Sequence, residues 1–393
     1  MYPTLYHALL DLTGIDLPFL KFMNSFGFFV AVAFVFASWT LGLELRRKER
    51  EGLLQPVMRK VKVGYPATPM ELISNALLGF VLGWKGLYLI LDFSSATADP
   101  QGTLLSAKGN LLGGIALGCF MVWWKWREKE KQKLAEPKIE EYRMQAHEHS
   151  GNITLTAALY GVIGAKLFHW LENPDEFIRF IKQPAGAELF SGLTMYGGLI
   201  FAGFMVIRYF RRNGIPPWAG MDAAAPGVML AYGVGRLGCQ TSGDGDWGIV
   251  NNRPAPSWIP DWLWSYDFPN NVNGVGIPMT DGTAFPGYGM VLPEPVWPTS
   301  IYEFIMGVGL FFVLWAWRKK LSVPGMIFFL FLALNGVERF FIEKIRVNVP
   351  FAGTWTQAEV ISLILIIVGI AGMIMRQRTK TLPNGPQEAH GTS

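Results

Sequence analysis

The chain has 393 residues, 51% of them hydrophobic and 16% charged, against a charged share of roughly 25% in soluble domains. Its formal net charge is +4, and the basic residues are gathered in a few loops, which indicates membrane topology and not a nucleic-acid surface. Cys119 and Cys239 lie in separate apolar segments and the five histidines show no ligand spacing, so neither a disulfide, nor a metal site, nor a cofactor is expected.

In chain order, residues 1–24 lack the basic start and cleavage site of a signal peptide. Their mixed pattern, with Tyr2, Tyr6, Leu9, Leu10, Leu17 and Phe19, predicts an interfacial segment on the outer surface. Nine segments then approach the roughly 20 apolar residues that a membrane crossing needs. They are 25–43, 70–93, 109–124, 152–171, 189–209, 221–237, 300–317, 324–341 and 360–375, the third and the last being short. The stretches 46–62, 125–143, 208–212, 318–320 and 376–380 alternate to one side of these spans and hold 23 of the 34 lysines and arginines. By the positive-inside rule the N-terminus is outside and the C-terminus cytoplasmic, with an odd number of spans.

The expected architecture is therefore an all-α polytopic membrane protein of about nine transmembrane helices. Residues 25–239 carry the first six spans and 299–375 the last three. Between them, 240–298 is rich in Trp, Pro, Gly and Asn, with Trp258, Trp262, Trp264 and Trp297. It is too polar to span and too aromatic for plain disorder, and is expected to form a small extracytoplasmic head. Residues 376–393 are expected to be a disordered cytoplasmic tail. The stretch 76–85 echoes 158–166, an internal likeness that a duplicated hairpin would produce.

Arginines are costly in a bilayer, at about 2.5 to 3.5 kcal/mol even on the lenient insertion scale, and two stand at the outer ends of spans. Arg236 lies in Gly233-Val-Gly-Arg-Leu-Gly238 and Arg339 in Asn335-Gly-Val-Glu-Arg-Phe-Phe-Ile-Glu343. Lys85, Lys166, Glu303 and Glu343 are predicted at the same level, where the lysines also suit simple snorkelling to water. Arg339, Glu343 and Arg346 are spaced to share one helix face, with Glu343 set to orient Arg339. Such a positive cluster suits a lipid phosphate, because the guanidinium fork matches phosphate oxygens. The glycines from 233 to 248 allow close approach of a bulky ligand. Asp244-Gly-Asp246 has the start of a calcium loop without its remaining ligands. Tyr196, in the outer part of the fifth span, is either a hydrogen-bonding partner or a belt residue.

Together these segments resemble the prolipoprotein diacylglyceryl transferases of bacterial inner membranes. The landmarks are Gly164-Ala-Lys-Leu-Phe168, Tyr196-Gly-Gly-Leu199, Asp222 with Pro226, Gly235-Arg-Leu-Gly238 running to Gly248, Pro298-Thr-Ser-Ile-Tyr-Glu303, and Arg339-Phe-Phe-Ile-Glu343 followed by Arg346, with a weaker likeness at Ser25-Phe-Gly-Phe-Phe29. The resemblance implies transfer of a diacylglyceryl group from phosphatidylglycerol to the lipobox cysteine thiol of a preprolipoprotein, with membrane lipids as surroundings. It implies Arg236, Arg339, Glu343 and Tyr196 as catalytic residues. Lys166, Gly197, Gly198, Asp244, Gly248 and Arg346 are implied, with the two arginines, as substrate-binding. The chain departs from the family pattern in five ways. Tyr196 stands where many members have a histidine proposed as base, Cys239 replaces an asparagine, Phe26 occupies a place that is often tyrosine, an extra residue between Gly243 and Gly248 leaves Asp244 matched to the usual glutamate only approximately, and 70–126 reads as an inserted hairpin. Alternatives from other classes are a transporter of an anionic substrate, which requires charges through the membrane depth, and a non-catalytic phospholipid-binding protein.

Overall fold

Among the described residues, nine helices of 18 residues or more form, one at each apolar segment. The structure is a computed structural model describing residues 1–93, 96, 102–103, 106–183, 192–348, 350–352 and 355–381. The start of the predicted fifth span, at 189–191, and most of the predicted tail, from 382 onward, lie outside the described residues. The helices are α1 (Leu5–Thr13), α2 (Ser25–Arg50), α3 (Pro69–Leu91), α4 (Leu111–Gln132), α5 (Ser150–Glu172), α6 (Pro174–Lys182), α7 (Met195–Arg212), α8 (Pro217–Ser242), α9 (Asp261–Trp264), α10 (Thr299–Trp317), α11 (Met326–Glu343) and α12 (Gln357–Thr381). Four stretches, Ser25–Arg50, Pro69–Leu91, Thr299–Trp317 and Gln357–Arg378, are long and apolar enough to cross a membrane. The protein is thus mostly helical.

Several helices run past the expected spans. α2 continues to Arg50 and α4 to Gln132 through charged residues, because Glu, Lys and Arg are good helix formers and helical hydrogen bonding does not stop where apolarity does. The connections after α2 and after α4, read from sequence only as basic loops, pair as an antiparallel ribbon. Its strands are β1 (Val57–Val63) and β2 (Lys138–Met144), in register from Val57 opposite Met144 to Val63 opposite Lys138. The ribbon closes residues 57–144 into a unit whose two ends lie side by side. Within it, α3 and α4 bury only glycines, Gly79 and Gly83 against Gly113, Gly114 and Gly118. Such a small-residue seam lets backbones approach where lipid gives no hydrophobic drive for helices to associate.

α8 is the hub. It packs on α2, on α10 and on α11. A Cβ at Gly238 would lie 3.1 Å from the Phe29 Cβ of α2, and one at Gly307 of α10 only 2.8 Å from the Gly233 Cα. Ala225 and Met229 of α8, Phe311 and Leu314 of α10 and Ile327 of α11 form one buried cluster. On the other side of α8, Ala219 and Ala223 meet Leu41 and Leu45 of α2 and Phe210 of α7.

Two acidic residues near the first residues of apolar segments serve as helix caps. Asp222 accepts backbone bonds from Gly325 (2.7 Å) and Phe328 (2.9 Å) at the start of α11. Glu71 accepts from the Thr68 backbone at 2.8 Å, completing a capping box at α3. Both carboxylates are thus committed to helix starts. Lys85 donates to the carbonyls of Thr103, Ser106 and Lys108 at 2.6 to 2.9 Å, fastening the α3–α4 connection.

Residues 243–298 make a small irregular unit. Its organiser is Asn271, fully buried, whose amide donates to Phe268, Val275 and Met290 carbonyls while its oxygen accepts the Val275 N–H. Phe268, Leu292 and Val296 form its core, with Met1, Trp247 and Tyr266 packed on it. α1 lies against it through His7, whose ring centroid is 4.6 Å from that of Phe285 at a tilt of 33°.

The glycine seam gives a test. Gly83→Leu drives a side chain into the Gly113 carbonyl and should destabilise the α3–α4 pair by about 1–3 kcal/mol, measured by denaturation in mixed micelles. Gly86→Leu, with open space around it, should change little.

Candidate functional site

The site is built around Glu303, on the first turns of α10. Its side chain is completely buried, and three guanidiniums from two helices and one loop converge on it. Arg339 Nη1 of α11 lies 3.0 Å from Oε1. Arg236 Nε of α8 and Arg346 Nη1, beyond α11, each lie 3.4 Å from Oε2. The hydroxyl of Tyr232, one turn before Arg236, also reaches Oε1 at 3.0 Å.

A second layer of carboxylates fixes the outer sides of these arginines. Arg339 Nη2 lies 3.0 Å from Glu343 Oε2, the i, i+4 pair that the sequence spacing suggests. Glu343 is held in turn by the Thr356 hydroxyl at 2.7 Å. Asp246 bridges the other two guanidiniums, with Arg346 Nη2 at 2.6 Å from one oxygen and Arg236 Nη1 hydrogen-bonded to the other. Burial alone would push the Asp246 carboxyl upward, but Arg236 and Arg346 hold it below the usual carboxylate range. The backbone of this acid is pinned as well. The Thr299 and Ser300 hydroxyls, at the start of α10, donate to the Asp246 carbonyl at 2.8 and 2.7 Å.

The sequence reading placed Asp244 in the site, yet Asp246 is the acid that meets the arginines. After α8 the chain turns through Gly243 and Gly245, both with positive φ (65° and 97°), and this returns the side chain at 246 towards α8. Asp244 instead faces Cys239 and accepts the Asp246 N–H at 3.3 Å. Cys239, Asp244 and Asp246 lie within metal-ligand reach of one another, but two guanidiniums already occupy both Asp246 oxygens, which is an environment for an anion and not a cation.

The single helix face expected for Arg339, Glu343 and Arg346 is also corrected. α11 ends at Glu343, and Arg346 lies past its end in an antiparallel bridge with Gly248. Arg346 still reaches the cluster because that bridge aims it inward. A Cβ at Gly248 would lie 2.7 Å from the Trp297 Cβ, so this glycine is needed for backbone approach. Arg346 Nε is buried with no hydrogen-bond acceptor among the described residues, a donor that buried sites normally satisfy.

Lys166, Tyr196, Gly197 and Gly198 stand elsewhere, on the α5–α7 pair. A Cβ at Gly164 would lie 2.7 Å from the Gly197 carbonyl oxygen, and one at Gly198 2.9 Å from that of Gly161; both glycines of α7 thus serve close packing. Lys166 is buried, its ammonium 5.2 Å above the Trp170 ring. Tyr196 is 36% exposed and makes no hydrogen bond to the arginine cluster among the described residues. Sequence reasoning missed Asp246 and Tyr232 as partners, and also Glu338, which lies 3.1 Å from the Tyr232 hydroxyl.

Chemically, three guanidiniums held in place by surrounding carboxylates can receive a tetrahedral anion. They are already aimed before charge develops, which is the requirement for electrostatic stabilisation.

Residues 112–375 match the family model described as prolipoprotein diacylglyceryl transferase. Among similar proteins, one from Thermus thermophilus is 27% identical over 231 residues, covering 56% of this chain and 80% of its own. One from Clostridium novyi is 31% identical over 223 residues, with 55% and 72% covered. One from Enterococcus faecalis is 28% identical over 287 residues, with 69% and 86% covered. Each is named phosphatidylglycerol–prolipoprotein diacylglyceryl transferase.

The two acids of the turn should separate experimentally. Asp246→Asn strips charge from two guanidiniums and, with allowance for its partial exposure, should lower unfolding stability by about 2 kcal/mol. Asp244→Asn should cost less than half as much in the same thermal unfolding experiment in detergent.

Proposed function

This chain belongs to the prolipoprotein diacylglyceryl transferase family, and on that premise we propose that it transfers the diacylglyceryl group of phosphatidylglycerol to the lipobox cysteine thiol of a preprolipoprotein, releasing glycerol phosphate. The observation that carries this reading is the convergence of Arg236, Arg339 and Arg346 on one buried carboxylate.

In the proposed reaction the arginines hold the lipid phosphate. The thiol sulfur attacks the adjoining glyceryl carbon, the carbon–oxygen bond breaks, and its electron pair stays on the phosphate oxygen. Negative charge then grows where the guanidiniums already point, so they stabilise the transition state more than the ground state. Glu343 orients Arg339, and Asp246 orients Arg236 and Arg346. Lys166, Gly197 and Gly198 are assigned as further substrate contacts, with Tyr196 as a hydrogen-bonding partner of the reacting group; Asp244 and Gly248 shape the turn beside Arg236.

The same reading assigns nine crossings of the bacterial inner membrane, with the N-terminus outside and the C-terminus cytoplasmic. Residues 240–298 form the extracytoplasmic head, 70–126 an additional hairpin, and 376–393 a cytoplasmic tail. The basic loops support this orientation, and it puts the arginine cluster at the outer leaflet.

Purified protein given phosphatidylglycerol and a lipobox peptide should add a diacylglyceryl mass to the peptide and release glycerol phosphate. Arg236→Ala and Arg339→Ala should each reduce kcat by at least about 10²-fold, the scale of losing one preorganised charge-stabilising donor. Full activity in either variant would remove that residue from the phosphate clamp, and an unchanged rate in Tyr196→Phe would leave Tyr196 as a belt residue.

A further inference from the structure

A hydroxyl has one hydrogen, and at Thr356 the helix start decides where it goes. Thr356 stands immediately before α12, and its side-chain oxygen accepts the Glu359 N–H at 3.2 Å while its own N–H donates to Glu359 Oε2 at 3.0 Å. This reciprocal pair is a capping box, which satisfies two of the amides that a helix start leaves without partners. With one lone pair of the oxygen committed to the helix, the hydrogen is free to point outward, and it is donated to Glu343 Oε1 at 2.7 Å. That length belongs to a hydroxyl bonded to an ionised carboxylate.

The recipient is the acid that braces Arg339. Glu343 is buried, and Arg339 Nη2 lies 3.0 Å from its other oxygen, while Nη1 of the same guanidinium lies 3.0 Å from Glu303. The terminal torsion of a glutamate is broad, so a carboxylate held at one oxygen only can rotate and take its partner with it. Thr356 removes that freedom by holding Oε1, which leaves Oε2 turned to the arginine. A neighbouring tie, from Lys344 to Glu359 Oε1, also joins the end of α11 to the start of α12. It ends on an ammonium that is 52% exposed and reaches no arginine.

Resting on the transferase reading above, we propose that Thr356 is a positioning residue of the reaction: its hydroxyl, aimed by the α12 cap, sets Glu343 and through it the direction of Arg339. A guanidinium stabilises growing negative charge only if its N–H groups are aimed beforehand. The capping box of one helix thereby supplies the aim of a charge carried by another.

Because Thr356 also caps α12, the test must separate capping from donation. Thr356→Val removes both, and its kcat with phosphatidylglycerol and a lipobox peptide should fall about tenfold, the scale of losing a hydrogen bond to a charged group. The KM for phosphatidylglycerol should change less than kcat, since the loss falls on the transition state. Thr356→Ser keeps donor and acceptor and should restore kcat to within about twofold of wild type. Glu359→Ala breaks the other half of the cap and the Lys344 tie but leaves the Thr356 hydroxyl on Glu343. It should lower the melting temperature in detergent as Thr356→Val does, with kcat near wild type.

If Thr356→Val does not accumulate in membranes, Thr356→Asp, which caps a helix but has no hydrogen to donate, carries the same prediction of a reduced kcat. A wild-type kcat in the variant that lacks the donor, a Thr356→Ser enzyme as slow as Thr356→Val, or a Glu359→Ala enzyme equally slow would each overturn the positioning role and leave Thr356 as a helix cap. Absence of product from the folded wild-type protein would instead overturn the transferase reading, and the positioning role with it.

Discussion

A single buried carboxylate, Glu303, decides how α8, α10 and α11 are put together at the end that carries the arginines. Three guanidiniums brought together without it would repel one another by about 4 kcal/mol per pair at 4 Å, even at the effective dielectric of a protein surface. The helix packing is arranged to deliver the carboxylate. Gly233 and Gly307 allow α8 and α10 to touch backbone to backbone. Gly307 is one turn from Glu303, and Gly233 adjoins Tyr232 and lies just before Arg236, so the contact that closes the helices also sets the reach of Tyr232 and Arg236 to the acid. α11 is fixed at its opposite end by Asp222, and its last turns bring Arg339 to the same oxygens. The close packing and the charge geometry are therefore one constraint expressed at two depths.

Much of the helical framework was legible because apolar runs of this length have few other uses. Helix ends were less so, since the charged stretches after α2 and α4 read as loops by polarity while their residues favour helix. The β1–β2 ribbon had a signal in Val57, Arg59, Val61 and Val63 at alternate positions, overshadowed by the basic charge of the segment. In the site, spacing correctly joined Arg339 to Glu343, because an i, i+4 pair depends only on local geometry. Asp246 was displaced by two residues because the register of a glycine turn depends on φ values that sequence does not display. Glu338 was overlooked although it is an acid in an apolar segment with no basic residue four positions on, a situation that itself calls for a distant partner. That partner, Tyr232, is 106 residues away, and only the fold brings the two together.

The α3–α4 pair follows a different rule from the helices around α8. Its buried positions are all glycines facing its own partner, and its exposed face is largely apolar, with Leu77, Val81, Leu112, Ile115, Phe120 and Trp124. The family match begins at residue 112, so α2 and α3 lie outside it. The pair is stabilised by its internal seam, by Lys85 across its connection and by the ribbon at its base, while the arginine cluster draws its support from α8, α10 and α11.

The backbone beside Arg346 carries a further consequence. The Ile249 N–H donates to the Ile345 carbonyl at 2.8 Å, the Gly248 N–H to that of Trp297 at 2.8 Å, and the Trp297 N–H to that of Ile249 at 3.1 Å. The segment entering the head is thus woven between the strand that carries Arg346 and the one that leads into α10. Lifting the head would act as a lever on both: it would draw Arg346 away from Glu303 and pull the Asp246 carbonyl off Thr299 and Ser300. The irregular unit and the arginine cluster therefore share one hydrogen-bonded backbone, so a displacement of residues 248–249 is also a displacement of Arg346 and of the start of α10.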